Sequence, residues 1–284
     1  MKRYIAGLAI CGVLLGGLVG CNGGDAGTPG AITVISREEG SGTRGAFVTL
    51  LGIEDDEGDH TTLLAEISNS TGVVLQSVMS NPGAIGYVSF GALHDAVKAV
   101  SVDGTAATAE NIKAGRYQVS HAFSVCCREE NLTELGRDFL AYIRSAQGQR
   151  CITDEGYISV EDNAPDYAGD DVSGTLSISG STSVAAVIEV LAEQYRALHP
   201  QVVIDIQQTG SGAGITAVTD GSCEIGMSSR PLSGEELSAG VMEIPIAWDG
   251  IAVIVHGDNP VEDLSAAQIR EIFTGQITNW GMLD

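Results

Sequence analysis

The sequence predicts an α/β protein, and three observations carry that expectation. Short β-branched runs alternate with helix-period runs along most of the chain. Gly/Ser-rich loops follow several of the strand-like runs. One acidic stretch, residues 161–174 (EDNAPDYAGDDVSG), has the composition of a linker and separates residues 31–160 from residues 175–284.

The chain opens on Lys2 and Arg3, followed by an uncharged run over residues 5–20 (IAGLAICGVLLGGLVG). This run is short for a spanning helix, and its basic flank and small-residue exit read as an export signal over residues 1–20. The exit, Leu18-Val19-Gly20-Cys21, resembles a bacterial lipobox, which implies lipidation of Cys21. The alternative is an ordinary signal peptide or a membrane anchor. Residues 21–30 suit a flexible tether.

The folded elements follow. Residues 32–36 (ITVIS) read as a strand, and the loop after it leads into a short apolar helix. Leu135–Ile143 reads as a helix, Thr175–Ser179 as a strand. Val184, Val187, Ile188, Leu191, Tyr195 and Leu198 recur on one helical face. Val202–Gln207 alternates as a strand does, and Leu264–Phe273 is again helical.

Charge limits the function. The 284 residues carry 37 acidic and 14 basic groups, a formal net charge of −23. Nucleic acid is excluded as a partner, because phosphate backbones are held by clustered Lys and Arg. A local anion site is not excluded, since net charge describes only the far field. Cys126, Cys127, Cys151 and Cys223 show no CxxC spacing, and the five His form no ligand pattern, so no metal is expected. The thiols read as buried and free in preference to disulfides.

Four loops hold the candidate chemistry: residues 37–44 (REEGSGTR), 179–183 (SGSTS), 209–214 (TGSGAG) and 227–231 (MSSRP). Helix N-termini expose unpaired N–H groups, small residues let an anion approach them, and hydroxyls add donors. Arg37, Arg44 and Arg230 lie within these loops and can each clamp an oxyanion or pair with a carboxylate such as Glu38 or Glu39. Ser41, Ser181 or Ser211 as a nucleophile would need a base and an orienting group. With no GxSxG elbow and no Walker A motif, no catalytic residue is assigned.

The segments SREEGSGTRGAFVTLLG, NPGAIGYVSFGAL, SISGSTSV, TGSGAGI, IGMSSRPL and IREIFTGQITNW together resemble the phosphate-binding protein (PstS) family of ABC transporters. The resemblance implies a two-lobed periplasmic-binding-protein fold of type II, with phosphate held between lobes that close over it. It implies phosphate-binding roles for Arg37, Ser41, Gly42, Thr43, Thr182, Ser183, Ser211 and Ser229, with Glu39, Arg44 and Arg230 as possible supports. Some family members carry an Asp at the position of Ser229 that accepts the proton of monohydrogen phosphate; here Ser229 or Glu39 would take that role. No cofactor is implied. The partners are phosphate and the transporter's permease subunits, and the protein is expected to be a monomer, lipid-anchored outside the cytoplasmic membrane.

The segment order departs from the family, in which SGSTSV comes first and REEGSGTR follows the FTGxxxNW stretch. The chain therefore looks like a circular permutant, joined through residues 161–174; a misassembled or truncated tandem gene is the alternative. One lobe is expected at residues 31–90 plus 255–284, the other at 91–254. Rival functions are capture of molybdate, tungstate or a phosphonate, a signalling or adhesion lipoprotein retaining the fold, and a Ser hydrolase.

Overall fold

In the computed structural model, which describes residues 30–169 and 171–283, parallel strands and helices alternate as the sequence predicts. The principal strands are β1 (Thr33–Arg37), β2 (Glu66–Ser68), β3 (Ala84–Ser89), β4 (Val97–Ala99), β5 (Ser120–Cys127), β6 (Ile158–Ser159), β7 (Gly174–Gly180), β8 (Val202–Gln208), β9 (Ile225–Ser228) and β10 (Met242–His256). The principal helices are α1 (Gly42–Leu50), α2 (Thr71–Ser80), α3 (Glu134–Ile143), α4 (Ala146–Asp154), α5 (Thr182–Leu198), α6 (Ser211–Asp220), α7 (Gly234–Ser238) and α8 (Ala266–Phe273). The export signal, Cys21 and the tether up to residue 29 lie outside the described residues. No helix among the described residues is long and apolar enough to cross a membrane.

One strand joins the two halves. The sheet runs β8-β7-β9-β5-β10-β3-β1-β2, with β4 and β6 also paired to β10. Residues 242–250 of β10 lie antiparallel to β5, and residues 251–255 lie antiparallel to β3. The register on the first side breaks between Pro245 and Ala247, a bulge whose Ile246 carbonyl accepts from Gln149 Nε2 at 3.1 Å. Strands β7, β8 and β9 are mutually parallel, as are β1, β2 and β3. Their C-terminal ends feed the loops that carry the site, as in open α/β sheets generally.

The core has a corresponding division. On one side Leu176, Ile178, Val184, Ile188, Leu191, Phe139 and Phe123 pack together. On the other, Phe47, Ile85, Tyr87, Ile269, Phe273 and Trp280 do so, with the Phe47 and Tyr87 rings stacked at 3.9 Å. Val100, Val102, Ile112, Tyr117 and Val119 pack with this second group, as do Ile251, Val253 and Val255, while Val97, Ala252 and Ile254 pack with Ile35, Val74 and Val88 on the other face of the sheet. By packing, residues 100–119 and Ile158 go with the second group, and most buried residues between 120 and 250 with the first. Asp249 and Gly250 interrupt the apolar run of β10 where the strand changes partners.

Cys126, Cys127, Cys151 and Cys223 are buried and free. Cys127 enters the core of the first half and Cys126 a separate cluster with Ile215 and Val218, the opposite faces that adjacent strand residues require. Burial pushes the Cys126 thiol up to about 12, which keeps it protonated and unreactive.

The acidic segment is anchored chiefly around Pro165 and Tyr167. The Pro165 carbonyl accepts from Ala146 N at 2.7 Å, and Tyr167 N donates to Gln147 Oε1 at 2.8 Å. The Tyr167 ring stands edge-on to Tyr142 at 5.2 Å, and its hydroxyl meets Asp138 and, at 2.7 Å, His199 Nε2. Replacing Tyr167 with Ala removes an aromatic ring and a buried hydrogen-bond partner, and should cost about 3 kcal/mol in denaturant unfolding. An unchanged midpoint would mean that the segment is not anchored there.

Candidate anion site

Four helix N-termini meet between the two halves: α1 and α2 from one side, α5 and α6 from the other. Each helix follows a parallel strand. Ser41 caps α1 by accepting from Arg44 N at 3.3 Å, and Ser181 caps α5 by accepting from Ser183 N and Val184 N. Gly210 precedes α6 with φ 90, a backbone angle that favours glycine, and supplies no side chain to cover the first-turn amides.

Arg37, the last residue of β1, is the charge at the centre and is 2% exposed. Its backbone N–H donates to the Tyr87 hydroxyl at 3.1 Å. Its guanidinium donates to Glu38 from Nε and Nη2, both at 2.8 Å. Nη1 donates to Thr71 Oγ1 at 3.2 Å, and Nη2 donates to Thr182 Oγ1 across the cleft at 3.1 Å. One carboxylate thus holds Arg37 in place while its remaining donors face hydroxyls of both halves.

The hydroxyls form a connected set. Thr71 Oγ1 lies 2.9 Å from Ser183 Oγ, and Ser183 Oγ lies 3.1 Å from Thr43 Oγ1. Thr43 and Ser181 both donate to Ser229 Oγ, at 3.2 and 2.8 Å. Ser211 Oγ accepts from Ser229 N at 3.1 Å and lies 3.3 Å from Ser229 Oγ. Ser211 and Ser229 are fully buried, and Ser41, Thr43, Ser181 and Ser183 nearly so. A backbone bond from Gly212 N to Gly40 O at 3.1 Å also crosses the cleft. Such an array of hydroxyls, first-turn amides and one guanidinium suits a small anion with several acceptor oxygens.

The structure brings Arg37, Ser41, Gly42, Thr43, Thr182, Ser183, Ser211 and Ser229 together. Three expected supports stand elsewhere. Glu39 is exposed, and Arg37 pairs with Glu38 instead. Arg44 is bound to Asp59 at 2.8 Å and to the Arg37 carbonyl at 2.9 Å, so it steadies the loop from outside. Arg230 makes a two-pronged pair with Glu236, at 2.9 and 2.7 Å, and holds the Glu236 carboxyl down at about 2. A loop's sequence does not say which way its Arg points, and each of these two finds a carboxylate.

Thr71 was missed. Its signal is the run Ser68-Asn69-Ser70-Thr71-Gly72-Val73-Val74, which repeats the strand, hydroxyl and apolar helix order of residues 179–184.

A model of the PBP superfamily domain matches residues 22–147 and 165–282. "Phosphate-binding protein PstS 2" of Streptococcus agalactiae is 44% identical over 292 residues, covering 100% of this chain and 99% of that protein. The chain belongs to the PstS family. A solved phosphate-binding protein of a phosphate ABC transporter from Streptococcus pneumoniae TIGR4 is 43% identical with a TM-score of 0.75, over 90% of this chain and 100% of that one. The PstS of Pseudomonas aeruginosa PAO1 is 33% identical over 141 residues only, 44% of each chain. The expected two-lobed fold is therefore the observed one.

Gly42 tests the geometry of closure. A Cβ there would sit 2.3 Å from Ser211 Oγ and 2.7 Å from Ser229 Oγ, across the cleft. Gly42→Ala should leave the melting transition intact and weaken phosphate binding at least tenfold in calorimetry. Wild-type affinity would show that these loops do not meet around the ligand.

Proposed function

We propose that this PstS-family chain captures inorganic phosphate between its two halves and delivers it to the permease subunits of an ABC transporter. The observation that carries the reading is Arg37, buried and held by one carboxylate, facing hydroxyls and first-turn amides of both halves. Donors from both halves are engaged together only in the closed arrangement, so phosphate shifts the population toward closure. Attraction is local and dipolar, because the far field of an acidic chain repels an anion.

Binding proceeds without chemistry. The site hydroxyls meet other hydroxyls, backbone amides and Arg37, with no His beside them among the described residues, so none has a base to activate it. Ser229 is the acceptor for the proton of monohydrogen phosphate, the role that Glu39, exposed and turned away, does not fill. The protein acts as an exported monomer, lipidated at Cys21 and tethered outside the cytoplasmic membrane. Its segment order is a natural circular permutation: full-length agreement with the streptococcal relative and agreement over less than half of the Pseudomonas protein both support it.

Arg37→Ala removes a charge-assisted contact worth about 1.5–3 kcal/mol, an affinity loss of roughly ten- to a hundredfold. Calorimetry with phosphate on wild type and variant measures it, and full affinity in the variant would overturn the site. In the same titration sulfate should bind far more weakly; equal binding would mean that Ser229 accepts no proton and that the site serves tetrahedral oxyanions at large.

A further inference from the structure

A buried acid–base pair sits where β10 passes from one half to the other. Asp249 and His121 are cross-strand neighbours, next to the point at which β10 leaves β5 for β3. Asp249 is fully buried and His121 is 7% exposed. Asp249 Oδ1 accepts from Ser89 Oγ at 2.8 Å and from Gly91 N at 3.4 Å, both in the other half. Its Oδ2 and His121 Nε2 lie 4.0 Å apart, and neither has a hydrogen-bond partner among the described residues.

The bonding fixes who carries the proton. His121 Nδ1 lies 2.9 Å from the Ala122 carbonyl, which only accepts, so Nδ1 holds the ring hydrogen and Nε2 is a lone pair. Burial lowers His121 to about 4 and raises Asp249 to about 8. The pair is therefore neutral near pH 7, with the acid proton on Oδ2 facing Nε2. The other titratable groups facing Asp249 are Tyr117 and Tyr157, both pushed upward by burial and by the Asp249 charge.

His121 of the pair also borders a cavity between the two halves. His121 and Trp248 line a cavity of about 730 Å³ whose opposite wall is Ala46, Thr49 and Leu50 of α1, in the other half. Opening the cleft parts these walls and brings water toward the pair. Closing removes that water and makes a charged Asp249 costly.

We propose that Asp249 and His121 are a proton-linked lock on the hinge: closure over phosphate takes one proton from solvent onto Asp249, so that capture is coupled to proton uptake. Asp249 is a positioning residue and touches no ligand. The inference rests on the phosphate reading given above.

The sign follows from linkage. The closed state holds the proton more tightly than the open state, so phosphate affinity falls as pH rises through the window between the two. The folded chain likewise holds a proton that the unfolded chain has released, so this group's contribution to stability falls from the ordinary carboxylate range up to about pH 8. Asp249→Asn keeps the acceptor for Ser89 and Gly91 and donates from its amide toward His121, mimicking the protonated state.

Trp248 beside the pair reports closure by fluorescence. The wild-type Kd for phosphate, divided by that of D249N, should rise about tenfold from pH 6 to pH 8. Phosphate's own ionisation is common to both proteins and cancels in the ratio. A ratio that stays flat overturns the lock. An infrared pH titration of the wild type needs neither a folded variant nor phosphate binding. It should show a protonated carboxyl band that is lost below pH 8 in the phosphate-free protein, and adding phosphate should strengthen the band at pH 7 and move its loss up toward pH 8. Absence of the band also overturns the lock, whereas a band present in a chain that fails to bind phosphate counts against the phosphate reading instead.

Discussion

Everything in the site depends on Arg37 being buried without being neutralised by the wrong group. A guanidinium in a dry cleft is costly unless its donors are met. Glu38 meets two of them, and that leaves the other edge for hydroxyls contributed from both sides. Arg230 instead turns both terminal nitrogens to Glu236 and the Pro231 carbonyl, away from the site. The surrounding Ser and Thr residues carry no charge of their own, so the ligand's charge is met by one cation and by helix dipoles. An overall charge of −23 is compatible with this, because the sources of attraction lie within a few ångströms of the ligand.

The second constraint is mechanical. Strand β10 is one continuous element that pairs with β5 and then with β3, so the two halves share a backbone and cannot drift apart. The proposed hinge lies near Gly250, where β10 changes partners and Asp249 and His121 are buried. The acidic segment leans on the first half through Tyr167 and reaches the second half through the exposed Asp162–Lys113 ion pair.

Most of the fold was legible. The strands at residues 32–36, 175–179 and 202–207 and the long helix after Ser183 carried clean periodicity, and the structure places them within a residue or two. The helix expected over Leu264–Phe273 begins instead after Ser265, where a capping box ends the preceding short strand. The change of partner in β10 was not foreseen, because an Asp and a Gly inside a strand, here Asp249 and Gly250, are equally the marks of a bulge or a turn. In the site, Arg37, Gly42 and the hydroxyls of four loops could be read from composition and resemblance. The outward turn of Arg44 and Arg230 could not, since it depends on Asp59 and Glu236 being near in space. Thr71 escaped because the strand before its loop, Glu66–Ser68, is only three residues long and gives no clear alternation.

The central claim is that one anion is held by both halves together. Hydrogen exchange at the backbone amides of residues 41–44, 182–184 and 211–214, with and without phosphate, tests it most directly, since these first-turn amides come from opposite sides of the cleft. Slowing of all three segments at one phosphate concentration is the predicted result. Slowing confined to the segments of one half would contradict the account.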